Sequence, residues 1–290
     1  LYTNDGASNP SFSATEVATG SNKIWSLDVV DLDSDGDLDV LAALHGADQI
    51  RFFENNGSGG FGNNHNVGSS GDWREVHSGD IDGDGDIDFA AVGGNDGDNN
   101  RRVVWYENDG SETFSVHSID TGANNPRSVF VIDVDSDGDM DVIHAHEGTD
   151  RVEWAENDGA ADPSFTNRSI CDDCVNGAMS VYAADMNNDG DIDVLAAAQE
   201  DDKIILFSNS GETDPVWSSP QAVTSSADGI YSVFAADLDN DGDMDIVSAS
   251  ANDDKIAWYD NNGADPPVFT ARTIATSADG AASVYVADLD

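Results

Sequence analysis

Carboxylates at every second position around a glycine form the densest chemistry in this chain. The run Asp31-Leu32-Asp33-Ser34-Asp35-Gly36-Asp37-Leu38-Asp39 sets five aspartates about Gly36. A hard divalent cation of calcium's size takes six to eight oxygen ligands at about 2.3–2.6 Å, and acids at positions 1, 3 and 5 of a tight loop deliver several from one short segment. Glycine at position 6 removes the steric cost of the turn. The run reads as a calcium loop, and it returns four times. The further copies carry Asp80, Asp82, Asp84, Asp86 and Asp88, then Asp133, Asp135, Asp137, Asp139 and Asp141. They continue with Asp185, Asn187, Asp189, Asp191 and Asp193, then Asp237, Asp239, Asp241, Asp243 and Asp245. Asn187 alone departs from aspartate, and an amide oxygen still coordinates calcium. A sixth copy opens at Asp288, and successive starts lie 49, 53, 52, 52 and 51 residues apart. A solvated acidic turn explains one copy and not five, so one Ca²⁺ per complete loop, five in all, is expected.

Other chemistry has little support. EF-hands share the opening of the loop but need a bidentate glutamate at position 12 and flanking helices. Position 12 here is Ala42, Ala91, His144, Ala196 and Ser248. RTX rolls repeat every nine residues, which one loop per fifty does not match. No GxSxG or HExxH occurs, and the six histidines do not recur at matching repeat positions. His144 and His146 alternate on one strand and share a face that can hold a metal, although two ordinary strand histidines are the plainer reading. Acids committed to calcium cannot serve as a proton-donating glycosidase acid. The expectation is a non-catalytic chain. Cys171 and Cys174 are too few for a four-ligand zinc site and lie in no βαβ setting. In an oxidising compartment they can close a small local disulfide.

The loops must be positioned by strands. A short alternating run precedes each of several loops, at residues 25–30, 128–132, 180–184, 232–236 and 283–287, rich in β-branched and aromatic residues. Apolar runs follow the loops at 40–43, 89–92, 142–145, 194–197 and 246–249, and their length argues for buried strands. A third strand is expected at 49–53, 102–106, 151–154, 203–207 and 255–259. Several of these end in turn signals such as Asn108-Asp109-Gly110 and Asn157-Asp158-Gly159, where positive φ is needed. A more polar fourth strand follows at 114–119, 165–170 and 269–274, which suits an outer edge. Four antiparallel strands per unit of about fifty residues, with no helical stretch, describe a blade of a β-propeller. Trp105, Trp154 and Trp258 on the third strands are expected to pack blade against blade.

Composition narrows the partners. The net charge is −47, with 11 Lys and Arg, and 24 of the 58 acids sit in the five loops. Bound cations would cancel charge where it is densest. So acidic a surface disfavours nucleic acid and anionic membranes. No run approaches the roughly 20 apolar residues of a membrane-spanning helix, so direct membrane insertion is not expected. Saturating low-affinity calcium loops needs the millimolar calcium found outside cells, which implies a secreted or cell-surface setting.

The DxDxDGDxD loop between two strands, recurring about every fifty residues along the whole chain, resembles the FG-GAP or VCBS repeats of integrin-α-like propellers. The resemblance implies side-chain ligands at positions 1, 3, 5 and 9 and the carbonyl of position 7, which in the first loop is that of Asp37. It implies a ring of six to eight blades, seven by preference. About six are represented in residues 1–290, read as one domain and an excerpt of a longer polypeptide. It also implies adhesion or recognition, with a glycan or protein ligand. The alternatives are a calcium-rigidified, self-assembling unit of a surface layer or filament, or a propeller appended to a polysaccharide-degrading enzyme.

Overall fold

The computed structural model describes residues 2–4, 11–14, 16–17, 23–58, 60–69, 71–94 and 101–288. A two-stranded antiparallel hairpin, β1 (Tyr2–Asn4) with β2 (Phe12–Ala14), comes first. Five four-stranded antiparallel sheets follow. Blade 1 comprises β3 (Ile24–Val30), β4 (Asp39–Leu44), β5 (Gln49–Asn55) and β6 (Phe61–Ser69). Blade 2 comprises β7 (Glu75–Gly79), β8 (Asp88–Gly93), β9 (Arg102–Asn108) and β10 (Phe114–Asp120). Blade 3 is β11 (Pro126–Ile132), β12 (Asp141–His146), β13 (Arg151–Asn157) and β14 (Phe165–Cys171). Blade 4 is β15 (Ala178–Ala184), β16 (Asp193–Ala198), β17 (Lys203–Phe207) and β18 (Gln221–Thr224). Blade 5 is β19 (Ile230–Ala236), β20 (Asp245–Ser250), β21 (Lys255–Asn261) and β22 (Phe269–Ala275). Each sheet pairs its strands in chain order, so every connection is a hairpin. Among the described residues the only helical piece is a 3₁₀ turn at His45–Ala47.

The first strands β3, β7, β11, β15 and β19 line a central channel of about 790 Å³. The second strands β8, β12, β16 and β20 are buried at every residue. Blades on either side cover both faces of β8, β12 and β16, which is why these runs are continuously apolar instead of alternating. The core accordingly lies between blades. Trp154 of blade 3 packs with Val175, Val181 and Ala196 of blade 4, and Trp105 of blade 2 with Val129, Val131 and Val142 of blade 3. Trp105 and Trp154 are fully buried in these seams, as blade-to-blade packing requires. Trp258 has no blade after it among the described residues. It is half-buried, and the Arg272 guanidinium stacks over its ring at 4.9 Å.

Several elements escape the sequence pattern. The first strand of blade 2 reads Glu75-Val76-His77-Ser78-Gly79, too polar and too short of β-branched residues to stand out. The fourth strands Phe61–Ser69 and Gln221–Thr224 also lack a strand signature, because an edge strand needs only one apolar contact face. The expected strand at 283–287 runs beside β19, its Val284 N–H donating to Ser232 Oγ at 3.3 Å. Among the described residues it joins no sheet. Five blades are therefore complete, and the sixth repeat is present in part. Cys171 and Cys174 are joined by a disulfide at the end of β14, a local staple across three residues of separation.

Candidate metal loops and central channel

Each acidic nonapeptide links the first strand of its blade to the second, and the backbone turns twice. Position 6 is glycine with φ between 94° and 99° in all five copies. Position 4 is also left-handed, at Ser34, Gly83, Ser136, Asn188 and Asn240, with φ from 60° to 71°. Serine and asparagine there accept that region at modest cost. The carboxylate of position 1 accepts the N–H of the position-6 glycine, as in Gly36 to Asp31 Oδ2 at 3.0 Å. Asp33 and Asp35 each accept the N–H two residues on, at 3.2 and 2.9 Å. These bonds hold the loop shape and leave the remaining carboxylate oxygens for another partner.

Position 9 anchors the loop from within the core. Asp39, Asp88, Asp141, Asp193 and Asp245 are all at most 1% exposed. In each, Oδ2 accepts the N–H of position 2 at 3.0–3.1 Å. Oδ1 accepts the N–H of an asparagine at or just beyond the end of the third strand at 2.8–2.9 Å. Burial nevertheless pushes the carboxyls of Asp88, Asp141 and Asp193 up to about 7, overriding the N–H donors that favour the charged form. Asp33, Asp82 and Asp135 at position 3 are raised for the same reason.

The structure brings positions 1, 3 and 9 together. In the first three loops one carboxylate oxygen from each lies within 4.8 Å of the others. Asp31 Oδ1, Asp80 Oδ1 and Asp133 Oδ1 are buried at these points without a hydrogen-bond partner. Three converging acids with an orphaned oxygen, all hard donors, fit a calcium-class cation. In the fourth loop Asn187 donates to Asp189 Oδ2 at 2.8 Å. Position 5 is exposed on the rim in all five loops. The side chain of position 7 lies elsewhere. Asp37, Asp86, Asp139, Asp191 and Asp243 sit against Gly57, Gly110, Gly159, Gly211 and Gly263 in the turn after the third strand, where a Cβ would collide with the carboxylate. These glycines also have φ between 63° and 70°. The copy opening at Asp288 runs into residues 289–290, outside the described residues.

A second use of the turn asparagines was hidden from the sequence. Asn157 Nδ2 donates to the Met140 carbonyl at 3.0 Å within its own loop and to the Ile81 carbonyl, in the loop of the preceding blade, at 2.8 Å. Asn108, Asn209 and Asn261 repeat this with Leu32, Val134 and Met186. The acidic loops are therefore chained blade to blade through one buried amide at each seam. Asn188 and Asp243 add a 2.5 Å contact between the fourth and fifth loops.

The channel carries its own ring. Asp28, His77, Phe130, Tyr182, Phe234 and Tyr285 stand three residues before their loops, and from His77 onward neighbouring rings lie 4.2–4.8 Å apart. That fixed offset was the available signal. Glu75 sits where other first strands place serine, accepts the Val129 N–H at 2.8 Å, and is pushed by burial up to about 7. Ser128, Ser180 and Ser232 serve as acceptors in the same way, Ser128 Oγ taking the Val181 N–H at 3.0 Å.

Five four-stranded blades about a channel, each with an acidic loop between its first two strands, define a β-propeller built on repeated acidic-loop blades. The chain belongs to the FG-GAP-like repeat family, whose model matches residues 31–91, 86–144, 133–196, 185–248 and 239–290. No curated protein matches the chain by sequence. Solved structures share the fold. An Agrocybe aegerita lectin that recognises non-reducing terminal N-acetylglucosamine is 20% identical with a TM-score of 0.59, over 87% of this chain and 66% of the lectin. Virginiamycin B lyase from Staphylococcus aureus is 9% identical with a TM-score of 0.62, over 93% of this chain and 76% of the lyase. An auxiliary nutrient binding protein from Bacteroides ovatus is 12% identical with a TM-score of 0.56, over 87% of this chain and 57% of that protein. At these identities the likeness concerns the fold alone, which hosts binding proteins and enzymes alike.

Proposed function

We propose that this chain is an extracellular, calcium-binding β-propeller that recognises a glycan or protein on a cell or matrix surface and catalyses no reaction. The observation that carries the calcium reading is the orphaned, buried position-1 oxygen facing the acids of positions 3 and 9, repeated in three loops. Each ion would be held by Asp31, Asp33, Asp35 and Asp39 or their counterparts, with the carbonyl of position 7. It would neutralise carboxylates that otherwise repel one another beside a buried hairpin, so metal binding and loop folding are coupled. A recognition role is supported by the rigid blades such ions would create, and by the lectin and nutrient-binding proteins that share the fold. Titrating Ca²⁺ into chelator-stripped chain tests the first part, with about five ions bound per chain expected and none overturning it. A glycan array and a surface-protein pull-down, each with calcium and with chelator, test the second. Calcium-dependent capture is expected, and no binding in either assay with calcium present overturns the recognition reading.

A further inference from the structure

The second strand of blade 3 differs from its counterparts in a way the calcium loops do not explain. Where blade 4 places Ala196 and Ala198 and blade 5 Ser248 and Ser250, β12 places His144 and His146, 0% and 2% exposed. Across the ladder from His144 stands Glu153, where blade 4 has Ile205 and blade 5 Ala257. His144 Nδ1 and His146 Nε2 point at each other at 2.6 Å, and His146 Nε2 lies 3.4 Å from Glu153 Oε2. Asp120, from the last strand of blade 2, brings Oδ2 to 4.0 Å from the same nitrogen. Burying two imidazoles and a carboxylate together is costly unless they share a partner.

We propose that His144, His146 and Glu153, completed by Asp120 of the adjacent blade, form a site for a divalent transition metal of the Zn²⁺ class, separate from the calcium loops. Nitrogen donors select such ions, whereas calcium prefers oxygen. The surroundings of His144 already suit a ligand. Asn167 donates Nδ2 to the Ile119 carbonyl at 3.4 Å, which turns its Oδ1 toward His144 Nε2 at 3.1 Å. That amide oxygen requires the proton on Nε2 and leaves the Nδ1 lone pair facing the cluster, as an outer-shell partner of a metal-bound histidine does. Burial lowers the pKa of both imidazoles, so they stay in the neutral form that ligates. Zn–N bonds of about 2.0–2.1 Å put tetrahedral ligand atoms roughly 3.4 Å apart, so the two rings open by less than about 1 Å to admit the ion. In its absence His146 Nε2–H donates to His144 Nδ1, with the Asn124 N–H 3.4 Å from His146 Nδ1. On binding, the His146 proton moves from Nε2 to Nδ1 and that long contact is given up. The site lies at the far end of β12 from Asp141, about 16 Å along the strand, and would clamp blade 2 to blade 3.

The test is competition of the full chain, in saturating Ca²⁺, against a chromophoric chelator for Zn²⁺. One tight site per chain is expected, weakened at least 100-fold in H144A/H146A, which restores the residues blade 4 uses. E153Q, which keeps the core filled, is expected to weaken it 10- to 100-fold. Co²⁺ in place of Zn²⁺ is expected to give the intense visible bands of tetrahedral coordination in the wild type and not in H144A/H146A. Zn²⁺ affinity equal in the wild type and both variants, or Co²⁺ bands unchanged by them, overturns the proposal.

Discussion

Replacing Asn157 with alanine tests whether the loops are mechanically chained. The side chain donates to the Ile81 and Met140 carbonyls at 2.8 and 3.0 Å and accepts the Gly159 N–H at 3.1 Å, all at a residue 2% exposed. Alanine removes three bonds and strands two buried carbonyls. At about 1 kcal/mol per net bond, and more for a buried group left unpaired, the loss comes to roughly 3–4 kcal/mol. With an unfolding entropy of about 0.6 kcal/mol/K for a chain this long, the melting temperature falls by roughly 5–7 °C. Asn55 is the internal control, since among the described residues its amide donates only within its own loop, to the Leu38 carbonyl at 3.0 Å. Asn55→Ala is therefore expected to cost about half as much. Thermal unfolding followed by circular dichroism in saturating calcium measures both. Equal shifts for the two variants, or no shift for Asn157→Ala, would refute the claim that these amides couple successive blades.

Gly159→Ala places a Cβ against the Asp139 carboxylate at φ 63° and is expected to destabilise by at least about 1 kcal/mol. Adding Asp139→Ala removes the collision and should recover part of the loss in urea denaturation, and a double variant no better than the single would contradict this packing. Chelation of calcium is expected to lower the melting temperature by on the order of 20 °C, taking about 2.7 kcal/mol for each of the five sites at a hundredfold excess over Kd. An unchanged melting temperature in chelator would remove the loops from the stability argument. Glu75 carries a folded pKa raised by burial to about 7 from 4.5, so its stabilising contribution is complete below about 4.5 and lost as pH rises through 7. Glu75→Gln keeps an acceptor for the Val129 N–H and should gain stability relative to wild type between pH 5 and pH 8, read as the difference in urea midpoints at the two values. A difference that does not grow with pH would show that Glu75 is well solvated.

Much of this architecture was legible in one dimension because each blade is local in sequence. Strands of one sheet are joined by hairpins, so alternating runs before the loops, apolar runs after them and Asn-Asp-Gly turns report on neighbours a few residues away. Glu75–Gly79 and Gln221–Thr224 were illegible for the converse reason, since contacts from other strands make them strands, not their own composition.

The sequence by itself determined the period, the four-strand unit and the set of oxygens offered to a cation, because all three follow from spacing within about fifty residues. Tertiary structure decided which oxygens converge. It drew position 9 into the core beneath positions 1 and 3 and turned position 7 onto a glycine. It also set one asparagine amide across to a loop 75 or 76 residues earlier in the chain. Only the stacking of blades creates those distances, as it creates the aromatic ring of the channel and the meeting of His144, His146 and Glu153 with Asp120.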